Sequence, residues 1–203
     1  MKKLVAFVLA LALMLLACAP ALAYNSDLDI WIDGYHIMVS KAYDDCEYLT
    51  VLCEDSYGDI AWMYEDFTNS VTELDQLTAF INNAPNGTMV MCYNSEQGKL
   101  TALDYRTGYE LWSTWVYLGA SISCDSDSYG NMYIGGYYGP DPVCIDQYGN
   151  VKWYSNSGGC YGLYSVMVDW DEVYCWYESI NDTGYSGRVT FDTSGRRIDV
   201  MYD

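Results

Sequence analysis

A single histidine, His36, and nine lysine and arginine residues are the whole cationic complement of this 203-residue chain. One imidazole cannot supply a histidine-rich metal site, nor a set of Ser-His-Asp triads on loops. His36 lies in a strand-like stretch between Tyr35 and Ile37, the setting of a structural histidine. No two cysteines are adjacent, and no Cys-x-x-Cys or His–Cys spacing suggests zinc. Beyond the first residues, no apolar run approaches the roughly 20 residues that span a bilayer as a helix. Against so few cations stand 28 Asp and Glu, for a formal net charge of −19. That field repels nucleic acid and anionic lipid and excludes both as partners. Pairs of carboxylates carry no catalytic signal, because 28 acids produce many by chance.

The N-terminus has the three parts of an export signal. Lys2 and Lys3 form a positive region and residues 4–16 an apolar run. Residues 17–23 follow, with Pro20 as a helix breaker and Ala21-Leu22-Ala23 as a small-x-small cleavage site. Residues 1–23 are therefore read as a signal peptide cleaved after Ala23, leaving a mature region 24–203 with no membrane-spanning segment. The alternative is a lipoprotein anchored at Cys18, because Leu15-Leu16-Ala17-Cys18 resembles a lipobox, although no polar tether follows it. Either way the protein is secreted or held at the cell envelope. Cleavage leaves 7 basic residues against the 28 acids, a charge of about −21.

The mature length suffices for one domain with a core, and 22 tyrosines within a half-apolar composition exclude disorder. Seven cysteines lie beyond the signal: Cys46, Cys53, Cys92, Cys124, Cys144, Cys160 and Cys175. An exported protein can form disulfides, but an odd number cannot all pair within one chain. Several sit in apolar strand patterns, so the expectation is mostly buried thiols with at most one or two bridges.

The chain repeats itself. Cys53-Glu54-Asp55-Ser56-Tyr57-Gly58-Asp59-Ile60-Ala61-Trp62 aligns without a gap on Cys144-Ile145-Asp146-Gln147-Tyr148-Gly149-Asn150-Val151-Lys152-Trp153, about 91 residues on. Half that offset gives a period near 45, and a third copy lies between them with Asp104, Gly108 and Trp112. A fourth copy keeps Asp192 and Gly195 but has Asp199 where tryptophan is expected. In each copy an apolar strand ends at an Asp that hydrogen-bonds its own turn, and Gly supplies the positive φ. The chain then returns in a strand ending at Trp, which makes a β-hairpin. Earlier strands are expected around His36, Met38 and Ser40, and at 88–93, 131–134 and 173–177, with further short ones near 29–32, 120–124 and 163–168. Four strands per unit, in repeats of about 24–66, 67–117, 118–157 and 158–203, predict an all-β, β-propeller-like array of four four-stranded blades. The near-continuous apolar runs at 48–53 and 88–93 suit strands covered on both faces.

The Trp62–Trp112 spacing exceeds the Trp112–Trp153 spacing by about nine residues. The surplus falls near residues 70–83, where Ser70-Val71-Thr72-Glu73 is a capping box and Leu74, Leu77 and Ile81 share a helical face. This spacing predicts a short helix there, or else a distorted strand, followed by a turn at Asn86-Gly87.

The run Gly98-Lys99-Leu100-Thr101-Ala102-Leu103-Asp104-Tyr105-Arg106-Thr107-Gly108-Tyr109-Glu110-Leu111-Trp112 resembles the pyrroloquinoline-quinone-like (PQQ-like) repeat, G-x-L-x-A-L-D-x-x-T-G-x-x-x-W. The first and third copies match it more weakly and the fourth marginally. The resemblance implies a β-propeller of the kind built by quinoprotein dehydrogenases and by BamB-type lipoproteins, which help assemble outer-membrane barrels. Such propellers mostly have seven or eight blades, whereas this chain has room for four. The dehydrogenases carry a vicinal cysteine pair beside the quinone, which this chain lacks, and no motif here matches their calcium or base residues. The resemblance therefore implies the fold and no cofactor.

Candidate sites are few. Asp125-Ser126-Asp127-Ser128-Tyr129-Gly130 resembles the start of a calcium loop, but it lacks an acid at the fifth position and has Gly136 at the twelfth. It reads better as a turn, and no metal or catalytic residue is assigned. Trp62, Trp112 and Trp153 occupy one repeat position and are expected to pack between blades. Tyr57, Tyr129 and Tyr148 in turns, and Tyr137-Tyr138 ahead of Gly139, could stack on sugars or anchor a protein. The reading is an exported, non-enzymatic binding or scaffold module with an unidentified protein or glycan partner. The alternatives are a carbohydrate-binding or adhesion module and a degenerate quinoprotein oxidoreductase. Because Asp199 replaces the last interblade Trp and the acidic surface discourages like chains from meeting, a closed or nearly closed monomeric ring is expected, with a two-chain, eight-blade ring as the alternative.

Overall fold

Apolar runs punctuated by Asp-Gly turns become antiparallel strands. The computed structural model describes residues 25–43, 46–69, 76–139, 141–181 and 183–203. The expected signal, with Cys18 and Ala23, lies outside them. Sheet one holds β1 (Asn25–Ile32), β2 (Tyr35–Tyr43), β3 (Glu47–Glu54) and β4 (Ile60–Thr68). Sheet two holds β5 (Leu77–Ala84), β6 (Gly87–Asn94), β7 (Lys99–Asp104) and β8 (Glu110–Trp115). Sheet three holds β9 (Ala120–Ser126), β10 (Met132–Tyr137), β11 (Val143–Ile145) and β12 (Val151–Tyr154). Sheet four holds β13 (Tyr161–Asp169), β14 (Glu172–Ser179), β15 (Gly187–Asp192) and β16 (Arg197–Tyr202). In each sheet the strands pair in chain order, all antiparallel, so every sheet is one four-stranded blade.

The first strands of successive blades pack together, β1 on β5, β5 on β9 and β9 on β13. The last strand of each blade faces outward and leaves Met63, Leu111, Tyr154 and Ile198 exposed. Three apolar cores fill the three junctions. Ile37, Val51 and Trp62 of blade one meet Val90, Cys92 and Leu103 of blade two. Met91, Leu100 and Ala102 then meet Met132, Ile134 and Val143. Tyr133 and Cys144 meet Val173, Cys175 and Phe191. Burying each large apolar side chain in such a core contributes ~1.5–3 kcal/mol.

The helix expected near residues 70–83 must be corrected. Residues 70–75, with the capping box and Leu74, lie outside the described residues, but Leu77 to Ile81 belong to strand β5, paired in full with β6. Leu77 and Ala79 are buried toward the first core, while Phe80 packs toward the second. Leu77 and Ile81, four residues apart, share one face of a strand just as they would share one face of a helix, so their spacing does not tell the two apart. The following hairpin turns on Pro85-Asn86, with Gly87 already paired to Ala84.

The closed or nearly closed ring expected from sequence must be corrected: among the described residues, blades one and four share no apolar core. In β6 the consecutive residues Met89 to Tyr93 are all buried, because blades lie on both sides. In β14 buried Val173, Cys175 and Tyr177 alternate with more accessible Glu172, Tyr174 and Trp176. In β2 buried Ile37 and Val39 alternate with half-buried His36, Met38 and Ser40. The rear face of blade one and the forward face of blade four are therefore both open to solvent.

Candidate functional site

The repeat positions form one turn, used four times, and three of the four carry a tryptophan from the preceding blade. Each turn Asp accepts backbone N–H groups through Oδ1: Asp55 from Tyr57 and Asp59, Asp104 from Arg106 and Thr107, Asp146 from Tyr148 and Asn150, Asp192 from Ser194 and Arg196. The backbone N–H of Gly58, Gly108, Gly149 and Gly195 closes each turn on the carbonyl of its Asp. These hydrogen bonds hold the Asp192 carboxyl down at about 2, the Ser194 hydroxyl being the main cause. Asp146 is also held low; burial works against this, and bonds from Asn150 and Tyr148 outweigh it.

The tryptophan of one blade then seats on the turn of the next. Trp62 Nε1 donates to the Tyr105 carbonyl at 2.9 Å, Trp112 Nε1 to Gln147 at 3.1 Å and Trp153 Nε1 to Thr193 at 2.9 Å. The ring lies so close to the turn glycine that a Cβ on Gly108, Gly149 or Gly195 would fall 2.6–2.7 Å from its carbons. Blade one has the same turn with no ring on it: a Cβ on Gly58 would meet nothing within 4 Å. Blade four ends differently. Trp62 pairs with Cys53, Trp112 with Ala102 and Trp153 with Cys144, and in the same register Asp199 pairs with Thr190.

The meander order puts the β1–β2 and β3–β4 turns of every blade at one end of the array. That end carries exposed aromatics from all four blades: Tyr57 (89 % exposed), Tyr109 (77 %), Tyr129 (77 %), Tyr148 (63 %) and Trp170 (91 %). Trp170 heads the two-residue turn between β13 and β14 with φ of 57°, a left-handed backbone that normally calls for glycine. Strain of this kind costs about 1–2 kcal/mol and gathers at binding sites.

The opposite end holds a second aromatic group. Tyr137, Tyr138 and Tyr161 lie with centroids 4.7–5.7 Å apart and rings tilted by 54–82°. The Tyr137 hydroxyl donates to Glu178, and Tyr117 donates to the Tyr138 carbonyl at 3.4 Å. Bonding to Glu178 pushes the Tyr137 phenol up, and bonding to Tyr138 does the same for Tyr161. Tyr138 is itself left-handed, at φ 60°. Backbone approach fixes this loop: a Cβ on Gly139 would lie 2.1 Å from the Leu118 carbonyl oxygen.

The remaining sequence candidates are occupied structurally. His36 stacks on Trp31 at 4.4 Å, with Nε2 2.6 Å from Asp29 and Nδ1 3.6 Å from Glu54, on the open rear face of blade one. In the calcium-loop lookalike, Asp127 accepts from the Tyr129 and Asn131 backbones and from the Tyr133 hydroxyl, and Asp125 from the Val168 backbone. It is a fifth copy of the Asp turn. All seven cysteines are free thiols, so the bridges allowed by sequence are absent among them. Burial pushes Cys53 up to about 11 and Cys124 and Cys144 up to about 12, and raises Cys92 and Cys175 as well. Such thiols are poor nucleophiles at neutral pH. Sequence had marked Tyr57, Tyr129, Tyr148, Tyr137 and Tyr138; it missed Tyr109, although that residue lies in a repeat turn, and Trp170 and Tyr161, whose only signal was their place beside strand boundaries.

No protein-family model and no curated protein matches the sequence. Solved structures do match the fold. BamB from Moraxella catarrhalis superposes with a TM-score of 0.53 at 16 % identity, over 81 % of this chain and 49 % of that one. Hydrazine synthase of Kuenenia stuttgartiensis superposes with a TM-score of 0.51 at 13 % identity, over 78 % of this chain and 46 % of that one. At these identities the likeness is one of fold, and the chain spans about half the length of either structure.

Proposed function

We propose that this chain is an exported, non-enzymatic binding scaffold that engages a protein partner through the aromatic rim at its turn end. The observation that carries the reading is the gathering of Tyr57, Tyr109, Tyr129, Tyr148 and Trp170 from four blades at one end. Protruding aromatics on a rigid frame lose little conformational freedom on binding and anchor interfaces. A strained, exposed Trp170 gives the fold nothing that glycine would not give better. The turn carboxylates are engaged by their own turns, which leaves the rings as the recognition groups. The BamB-like fold supports a scaffold role, and the N-terminal export pattern supports a site of action outside the cytoplasm.

The test is cross-linked capture from cell envelope and culture medium. Trp170→Gly combined with Tyr57→Ser and Tyr129→Ser should abolish capture of a partner retained by the wild type, with an unchanged circular dichroism spectrum. Capture that survives the triple variant would refute the rim as the site. A second reading rests on Tyr137, Tyr138 and Tyr161 beside Glu178, since tilted rings next to a carboxylate suit a sugar's apolar face and hydroxyls. Binding on a glycan array that is lost in Tyr138→Ala would favour it.

A further inference from the structure

The two open faces correspond row by row. On rear faces, the row that receives the preceding blade is Val90 with Leu103 in blade two, Met132 with Ile145 in blade three and Val173 with Phe191 in blade four. In blade one the same row is His36 with Glu54. On forward faces the docking row is Cys53 with Trp62, Ala102 with Trp112 and Cys144 with Trp153, and in blade four it is Thr190 with Asp199. Three junctions are thus apolar on both sides, and the two unused faces are polar in the matching rows.

We propose that two copies of this chain join head to tail through these faces into a closed eight-blade ring. Blade four of each copy seats on blade one of the other, so the two junctions are identical and no terminal face stays open. Asp199 then comes to the row of His36, and the guanidinium of Arg188, one row along, comes beside Glu54. Two features of blade four show what it awaits. Thr190 is only 2 % exposed, yet among the described residues neither its hydroxyl nor the buried Nε of Arg188 has a hydrogen-bond partner, the guanidinium lying 4.7 Å over the Tyr174 ring. Buried polar atoms without partners cost free energy, and a facing carboxylate that draws the Arg188 side chain outward from Tyr174 relieves that cost. Around them lie half-exposed Met167 and Met201, opposite Trp31 and Met63 on blade one. The net charge of about −21 on the mature chain opposes association, but at physiological salt the screening length of about 8 Å confines that repulsion to the contact itself.

Sedimentation equilibrium of the full mature chain at physiological salt tests this. The wild type should be a dimer. Asp199→Trp should tighten it about tenfold, because it restores a tryptophan opposite the empty Gly58 turn. His36→Asp should loosen it about tenfold, because it sets two carboxylates in one row. Both positions lie on accessible faces, so a thermal melt close to wild type separates loss of association from loss of fold. A monomer up to about 100 µM, in the wild type and Asp199→Trp alike, would overturn the proposal. So would a dimer whose affinity neither variant moves.

Discussion

Trp62 is 8 % exposed, and its indole both fills the first junction and donates a hydrogen bond across it. Trp62→Ala should destabilise by about 3–5 kcal/mol in urea titration, from lost burial, the cavity left behind and an orphaned carbonyl. The turn glycines give a sharper comparison. Gly58 and Gly149 share φ of 81° and 86°, but only Gly149 has an indole pressed on it. Gly58→Ala should cost about 1 kcal/mol for its left-handed backbone, and Gly149→Ala clearly more, since the Trp112 ring must move as well. Equal losses would mean that the rings are not seated as described. Acid should act through Asp192. Its folded value of about 2 lies below its ordinary 3.8, so the stability it provides is full above that ordinary value and is lost as pH falls through about 2. Urea midpoints of Asp192→Asn should therefore fall less steeply than wild type between about pH 4 and 2.

At the scale of elements, the blades differ in how well they are covered. β6 and β10 have neighbours on both sides, whereas β2 and β14 have one side in water. At concentrations low enough to keep the chain monomeric, hydrogen exchange should be slowest in β6 and β10 and several-fold faster in β2, although all four are second strands. The hairpins around Asp55, Asp104, Asp146 and Asp192 were legible because their chemistry is local: the side chain bonds its own turn two to four residues on. β5 was not legible. Its neighbours in blades one and three impose an apolar residue on either face, and Leu77, Ile81 and buried Asn82 carry no trace in sequence of which blade each will meet. The Asn82 side chain accepts from Ser126, 44 residues away, which no local pattern encodes.

Across the whole molecule, the rim was half legible, since Tyr57, Tyr129 and Tyr148 sit in turns that the repeat defines. The Tyr137–Tyr138–Tyr161 group was not, because strands of two blades must meet before Tyr161 joins it. Removing residues 161–203 should expose Tyr133, Cys144 and Trp153 of blade three and yield a protein that binds a hydrophobic dye and aggregates. Blade four instead presents Thr190 and Asp199 in that row. The indole-to-turn bonds have a kinetic consequence too. They span 43, 35 and 40 residues, and each links only one blade to the next. No junction within the chain waits for its first and last blades to find one another. Contact order stays close to that of a single repeat, so folding can advance as a front from the N-terminus, each blade templating the one that follows. A chain released gradually from a pore would have blade one formed, and its tryptophan waiting, before blade two was fully in solution.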